Sequence, residues 1–240
     1  MRQCVDTAHV RGAVSLARTA AGRQCAAGMN QILVYGDSLS WGIVPGTRER
    51  QPFEVRWPGR LEHALTSQGI PVRVIEDCLN GRRTVWDDPF KPGRSGLVGL
   101  AQRIEVSSPL ALVVLMLGTN DFQSMHANAA WHAAQGVAAL VGEIRRAPLE
   151  PGMPVPPVLV VAPPAIGEPR GAIAPKFDGG DRRCAGVAEA YREVAAALGC
   201  PFFDAGSVVQ PSDVDGVHLD AAAHRALAGA LADVIRPLVV

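Results

Sequence analysis

Five short runs of apolar, often β-branched residues recur along the chain, at 31–35, 72–75, 112–117, 158–162 and 201–204. Their apolarity is continuous rather than alternating, the pattern of strands covered on both faces. Between and after them lie Ala- and Leu-rich stretches with charges gathered on one side, at 57–67, 97–106, 127–146, 182–198 and 221–235, which read as amphipathic helices. Strands separated by stretches long enough for crossover helices predict a parallel sheet, and so a three-layer α/β architecture. Two irregular stretches, 44–56 and 163–180, are dense in Pro and Gly and read as loops over a site.

Length and charge narrow this picture. A chain of 240 residues, 48% hydrophobic and 19% charged, can enclose one sizeable core, and neither a repeat nor a linker divides it. Lys plus Arg and Asp plus Glu both number 23. With no net charge there is no basic field to attract nucleic acid or anionic lipid, and the expected partner is a small neutral molecule. The five cysteines, Cys4, Cys25, Cys78, Cys184 and Cys200, are odd in number and lack C-x-x-C spacing. That argues against a disulfide framework and a zinc site, and favours a reducing, cytoplasmic compartment. Residues 1–28 carry four arginines among small residues without an apolar run fit for a signal peptide or a membrane span. They are expected to form a poorly ordered extension ahead of a domain at 29–240, Met29 standing just before the first strand.

In an open α/β sheet, ligands bind beyond the carboxyl ends of the strands. Polar clusters occur there: Gly36-Asp37-Ser38-Leu39 after the first run, Asn80-Gly81 after the second, Gly118-Thr119-Asn120-Asp121 after the third, and Asp215-Gly216-Val217-His218 beyond the fifth. A serine hydroxyl needs a base to take its proton, and the base needs a third group to fix its tautomer. Ser38, His218 and Asp215 supply these in turn. The negative oxygen of a tetrahedral intermediate needs fixed donors. Candidates are the backbone N–H of Ser38, the backbone N–H of Gly81, and the side-chain amide of Asn120. Leu39, Trp41 and Asn80 are the candidate substrate contacts, with Trp41, Trp57 and Trp86 as possible aromatic walls. Asp37 and Asp121 are read as loop-shaping residues, and His224 as a packing or surface histidine of the last helix.

With these four blocks in order, the chain resembles the SGNH (GDSL) hydrolase family, and within it the arylesterase and acyltransferase branch. Ser38, Gly81, Asn120 and His218 stand at the family's four name positions. The branch resemblance is carried by Gly36 to Gly42, Val55-Arg56-Trp57, Trp86-Asp87-Asp88-Pro89, Leu117 to Asp121 and Phe203 to Ser207, and covers about residues 30–236. It implies a flavodoxin-like five-stranded sheet, hydrolysis or transfer of short acyl groups, no metal or other cofactor, and a homo-oligomer whose packed loops narrow the acyl channel. Deacetylation of a sugar by the same triad is the alternative, for which Arg48, Glu49 and Arg50 offer hydrogen-bonding groups. The sequence contains neither G-x-x-x-x-G-K-[ST] nor, in the first turn, G-x-G-x-x-G, and no G-x-S-x-G elbow. Nucleotide binding and a lipase-type α/β-hydrolase fold are thereby set aside.

Overall fold

A computed structural model describes residues 29–240; the extension expected over 1–28 lies outside the described residues. Five strands, β1 (Asn30–Gly36), β2 (Val72–Cys78), β3 (Leu112–Met116), β4 (Val158–Ala162) and β5 (Phe202–Asp204), form one sheet in the order β2-β1-β3-β4-β5. Every neighbouring pair is parallel. This is the flavodoxin-like order.

The continuous apolarity of the strands has a direct cause: both faces are covered. Ile32 and Val34 of β1 and Leu112 and Val114 of β3 point to a core closed by Trp57, Leu61 and Leu65 of helix α2 (Trp57–Ser67) and by Leu227, Leu231 and Ile235 of the last helix. Leu33, Tyr35, Val113 and Leu115, one residue out of phase, point to the opposite core. That core is closed by helices at Leu100–Ser107, Ala130–Arg145 and Val187–Ala197. In chain order the helices are α1 (Ser38–Trp41), α2, α3 (Leu100–Ser107), α4 (Ala130–Arg145), α5 (Ala174–Phe177), α6 (Gly180–Arg183), α7 (Val187–Ala197) and α8 (Ala221–Val239).

Element ends differ from the sequence expectation for local reasons. The helix expected over 182–198 is two pieces, because Gly186 takes φ +80° at the N-cap of α7. The last helix runs past Pro237 to Val239, since a proline in a final turn removes a single helical hydrogen bond, while Val239 is buried and its carbonyl accepts from Asn30 Nδ2 at 2.9 Å. The stretch 163–180, expected to be irregular, contains a 3₁₀ turn at Gly171–Ile173 and α5.

From β1 the chain moves to one side of the sheet to make β2, and then to the other to make β3, β4 and β5. The crevice at the carboxyl ends of β1 and β3 is therefore the topological switch point, where such sheets bind ligands. Ser38 follows β1 by two residues and Asn120 follows β3 by four.

Candidate active site

Asp37 caps α1: its Oδ1 accepts from the Leu39 N–H at 2.9 Å and sets Ser38 as the first residue of a one-turn helix. Its Oδ2 accepts from Asn120 Nδ2 at 2.9 Å, which links the block after β1 to the block after β3. Burial pushes the Asp37 carboxyl up to about 6, against the hydrogen bonds from Leu39 and Asn120. The loop-shaping part read for Asp37 is thus visible as two hydrogen bonds. Asp121 closes the neighbouring loop by accepting from the Thr84 N–H at 2.9 Å and from the Thr84 hydroxyl.

Asp215 and His218 lie on a tight turn ahead of α8. Asp215 Oδ1 accepts from the backbone N–H groups of Val217 and His218, both at 2.9 Å, which folds the four residues back on themselves. Gly216, at φ +74°, is required there, because a Cβ would stand 2.1 Å from the carbonyl oxygen of Glu168. Asp215 Oδ2 faces His218 Nδ1 at 2.8 Å and also accepts from the Gly46 N–H at 3.0 Å. His218 Nε2 then stands 3.2 Å from Ser38 Oγ, across a sequence separation of 180 residues. Burial opposes charge on Asp215, but the hydrogen bonds from His218, Gly46 and Val217 prevail and hold its carboxyl well below the usual carboxylate range. The carboxylate stays ionised and fixes the His218 tautomer through Nδ1.

Ser38, Asn80, Gly81, Asn120, Asp215 and His218 line one cleft of about 350 Å³. Gly81 turns the chain after β2 at φ +84°, a conformation open to glycine, and brings its peptide to the wall of the cleft. The backbone N–H groups of Ser38 and Gly81 have no acceptor among the described residues. Asn120 Nδ2 is held differently, by Asp37 at 2.9 Å and by the Arg82 carbonyl at 3.2 Å, while its Oδ1 accepts from Gln123 Nε2 at 2.6 Å.

The model of the GDSL-like lipase/acylhydrolase family matches residues 34–226, from within β1 into α8. The chain belongs to that family. Among solved structures, the native aryl esterase of M. smegmatis is 37% identical, with a TM-score of 0.82 over 87% of this chain and 99% of that one. A carbohydrate acetylesterase family member from Sinorhizobium meliloti is 38% identical, with a TM-score of 0.82 over 88% and 99%. An arylesterase of Vibrio mimicus is 35% identical over 91 residues, a match spanning 38% of this chain and 38% of that protein.

Other sequence expectations for this GDSL hydrolase need correction. Leu39 is 2% exposed and packs in the core beside α2, because the second position of α1 faces inward. Trp41 lies outside the cleft lining, with the Arg50 guanidinium 4.8 Å over its ring. Trp57 is fully buried. Of the residues read as substrate contacts, Asn80 alone lines the cleft. His224, by contrast, is the packing histidine that was expected: it is buried in α8, where its Nδ1 accepts from the Trp57 N–H at 3.2 Å and so caps α2, and burial lowers its pKa to about 4. Sequence reasoning missed Arg82, Gln123 and Thr84, which hold the two oxyanion-side loops, and the basic residues Lys91 and Lys176 of the cleft. Arg82 and Arg83 directly follow the Asn80-Gly81 block, and that adjacency was the available signal.

Proposed function

We propose that the chain is a serine esterase in which Ser38 Oγ attacks the carbonyl carbon of a small carboxylic ester bound in the cleft. The observation that carries this reading is the continuous line from Asp215 Oδ2 through His218 to Ser38 Oγ, with links of 2.8 and 3.2 Å, opening on that cleft. His218 Nε2 takes the hydroxyl proton as the Oγ–C bond forms, and Asp215 steadies the resulting imidazolium. The tetrahedral oxyanion is met by the unengaged N–H groups of Ser38 and Gly81 and by Asn120 Nδ2, whose longer contact, to Arg82, is the one it exchanges for the oxyanion. Collapse expels the alcohol, which receives its proton from His218. Water attacks the acyl-Ser38 by the same route reversed, and an added alcohol in its place gives acyl transfer.

Purified protein is expected to cleave p-nitrophenyl acetate, with Ser38→Ala and His218→Ala each losing about 10³-fold or more in kcat while retaining the folded circular dichroism. A Ser38→Ala variant that keeps its turnover overturns the covalent mechanism. Deacetylation of a sugar is the second reading, supported by the likeness to the Sinorhizobium meliloti protein and by polar groups such as Asn80 and Arg48 in the cleft. Turnover of acetylated sugars against a series of p-nitrophenyl esters separates the two.

Among the described residues no helix is long and apolar enough to cross a membrane. The odd number of cysteines and the balanced charge support a protein of a reducing, cytoplasmic compartment that binds neither nucleic acid nor membrane. The resemblance to the arylesterase and acyltransferase branch supports a homo-oligomer.

A further inference from the structure

The charges in the cleft are unevenly matched. Two carboxylates line it, Asp88 and Asp215, and both are engaged from within the protein: Asp88 by Arg83 at 3.2 Å, Asp215 by His218 at 2.8 Å. Four cations line it, Arg48, Lys91, Arg170 and Lys176. Arg170 is paired with Glu168 at 2.7 Å. Arg48, Lys91 and Lys176 have no carboxylate within 4.0 Å among the described residues.

These three cations come from separate parts of the chain. Arg48 lies on the stretch after α1, Lys91 on the one between β2 and α3, and Lys176 on α5 after β4. Lys176 is only half-exposed, and its pKa is lowered, first by burial and then, against the attraction of Asp88, by the repulsion of Arg83, Lys91 and Arg48. Arg48 and Lys91 line the same cleft as Lys176 and are near enough to it to repel it, in a protein whose total formal charge is zero. Positive charge gathered in a concave, partly desolvated site attracts an anion more strongly than the same charge spread over a surface.

We propose that this cleft selects esters carrying an anionic group, a carboxylate or a phosphate, close to the ester bond, with Arg48, Lys91 and Lys176 as the residues that determine the preference. The inference rests on the esterase reading of Ser38 and specifies its substrate class. The anion is on the acyl side, as in a half-ester of a dicarboxylic acid, or on the alcohol side, as in an acylated hydroxy acid or sugar acid. In both cases it is held by the same cations while the ester carbonyl lies at Ser38.

Two pairs of esters separate these sources. On the acyl side, mono-p-nitrophenyl glutarate is compared with its methyl-capped ester. On the alcohol side, 4-acetoxyphenylacetate is compared with its methyl ester, in which the spacing methylene insulates the leaving group from the change. In at least one pair, the free acid is expected to exceed its methyl ester in kcat/KM by about tenfold at low salt, the lower end of electrostatic focusing in charged clefts. The ratio is expected to shrink as KCl is raised to about 0.5 M, and to fall by about threefold or more in Lys176→Gln and further in the triple Arg48→Gln, Lys91→Gln, Lys176→Gln variant. Lys176→Arg should keep it. The ratio is formed within each protein, so any loss of folded enzyme cancels. Methyl esters turned over as fast as, or faster than, the free acids in both pairs overturn the anion preference while leaving the esterase reading intact. Failure to cleave any of the four esters, and p-nitrophenyl acetate as well, overturns the esterase reading and the preference with it.

Discussion

At the scale of single residues, the site depends on how completely each side chain's hydrogen bonds are assigned. Asp215 accepts from three backbone N–H groups and from His218, so its carboxylate is fixed in place as well as charged. Asp215→Asn preserves the shape and volume but offers His218 Nδ1 an amide, which favours the tautomer that carries its proton toward Ser38. A loss of about 10⁴-fold in kcat is expected, as in other Ser-His-Asp triads, with the thermal midpoint moved far less than the rate. Steady-state kinetics on p-nitrophenyl acetate check this, and a loss under tenfold contradicts the assigned tautomer. Asn120 is held by Asp37, the Arg82 carbonyl and Gln123. Asn120→Ala removes a donor at the developing oxyanion, and is expected to lower kcat by about 10²–10³-fold with KM little changed. A larger effect on KM than on kcat assigns Asn120 to ground-state binding instead.

At the scale of elements, the sequence carried the strands and the blocks that follow them, because two-sided burial writes itself as continuous apolarity and the sheet's switch point gathers what comes after β1 and β3. The orientation of residues within the blocks was not legible. Leu39 and Trp41 sit beside Ser38 in sequence, yet α1 turns Leu39 into the core and leaves Trp41 beside Arg50, and a four-residue helix is too short to leave a periodicity to read. The basic wall of the cleft was hidden for another reason: its members come from two irregular stretches and the four-residue helix α5, whose mutual approach is set by long-range packing. The turn at Asp215 to His218 belongs to the legible part, since Asp-Gly is turn chemistry wherever it occurs. Its glycine is held to φ +74° against the Glu168 carbonyl. Gly216→Ala is expected to cost about 2 kcal/mol or more, which for a domain of this size is about 4–8 °C in Tm. An unchanged Tm shows that the turn relaxes around the methyl group.

At the scale of the whole molecule, three of the buried titrating groups, Asp121, Asp37 and His224, act on the pH response of stability with signs that differ. Burial raises Asp121 to about 7 and Asp37 to about 6 from an ordinary 3.8, so between these values the folded state holds protons that the unfolded chain has released. Stability from this source is present at low pH and is lost as pH rises through the folded values. His224 has the opposite sign: burial lowers it to about 4 from 6.5, so the unfolded chain takes up the proton first, and stability is lost as pH falls from about 6.5 toward 4. The wild-type profile contains these opposing slopes, and variants that cannot titrate separate them. Asp121→Asn keeps an acceptor for the Thr84 N–H, and the Thr84 hydroxyl can turn to accept from the new amide. Its Tm relative to wild type is expected to climb as pH rises from about 4 to 7 and to level off above that. His224→Gln retains an acceptor for the Trp57 N–H, and its Tm relative to wild type is expected to climb in the other direction, as pH falls below about 6.5. Differential scanning calorimetry of the three proteins across this range reads both slopes at once. Parallel profiles place the pH response in other groups and remove Asp121 and His224 from the account.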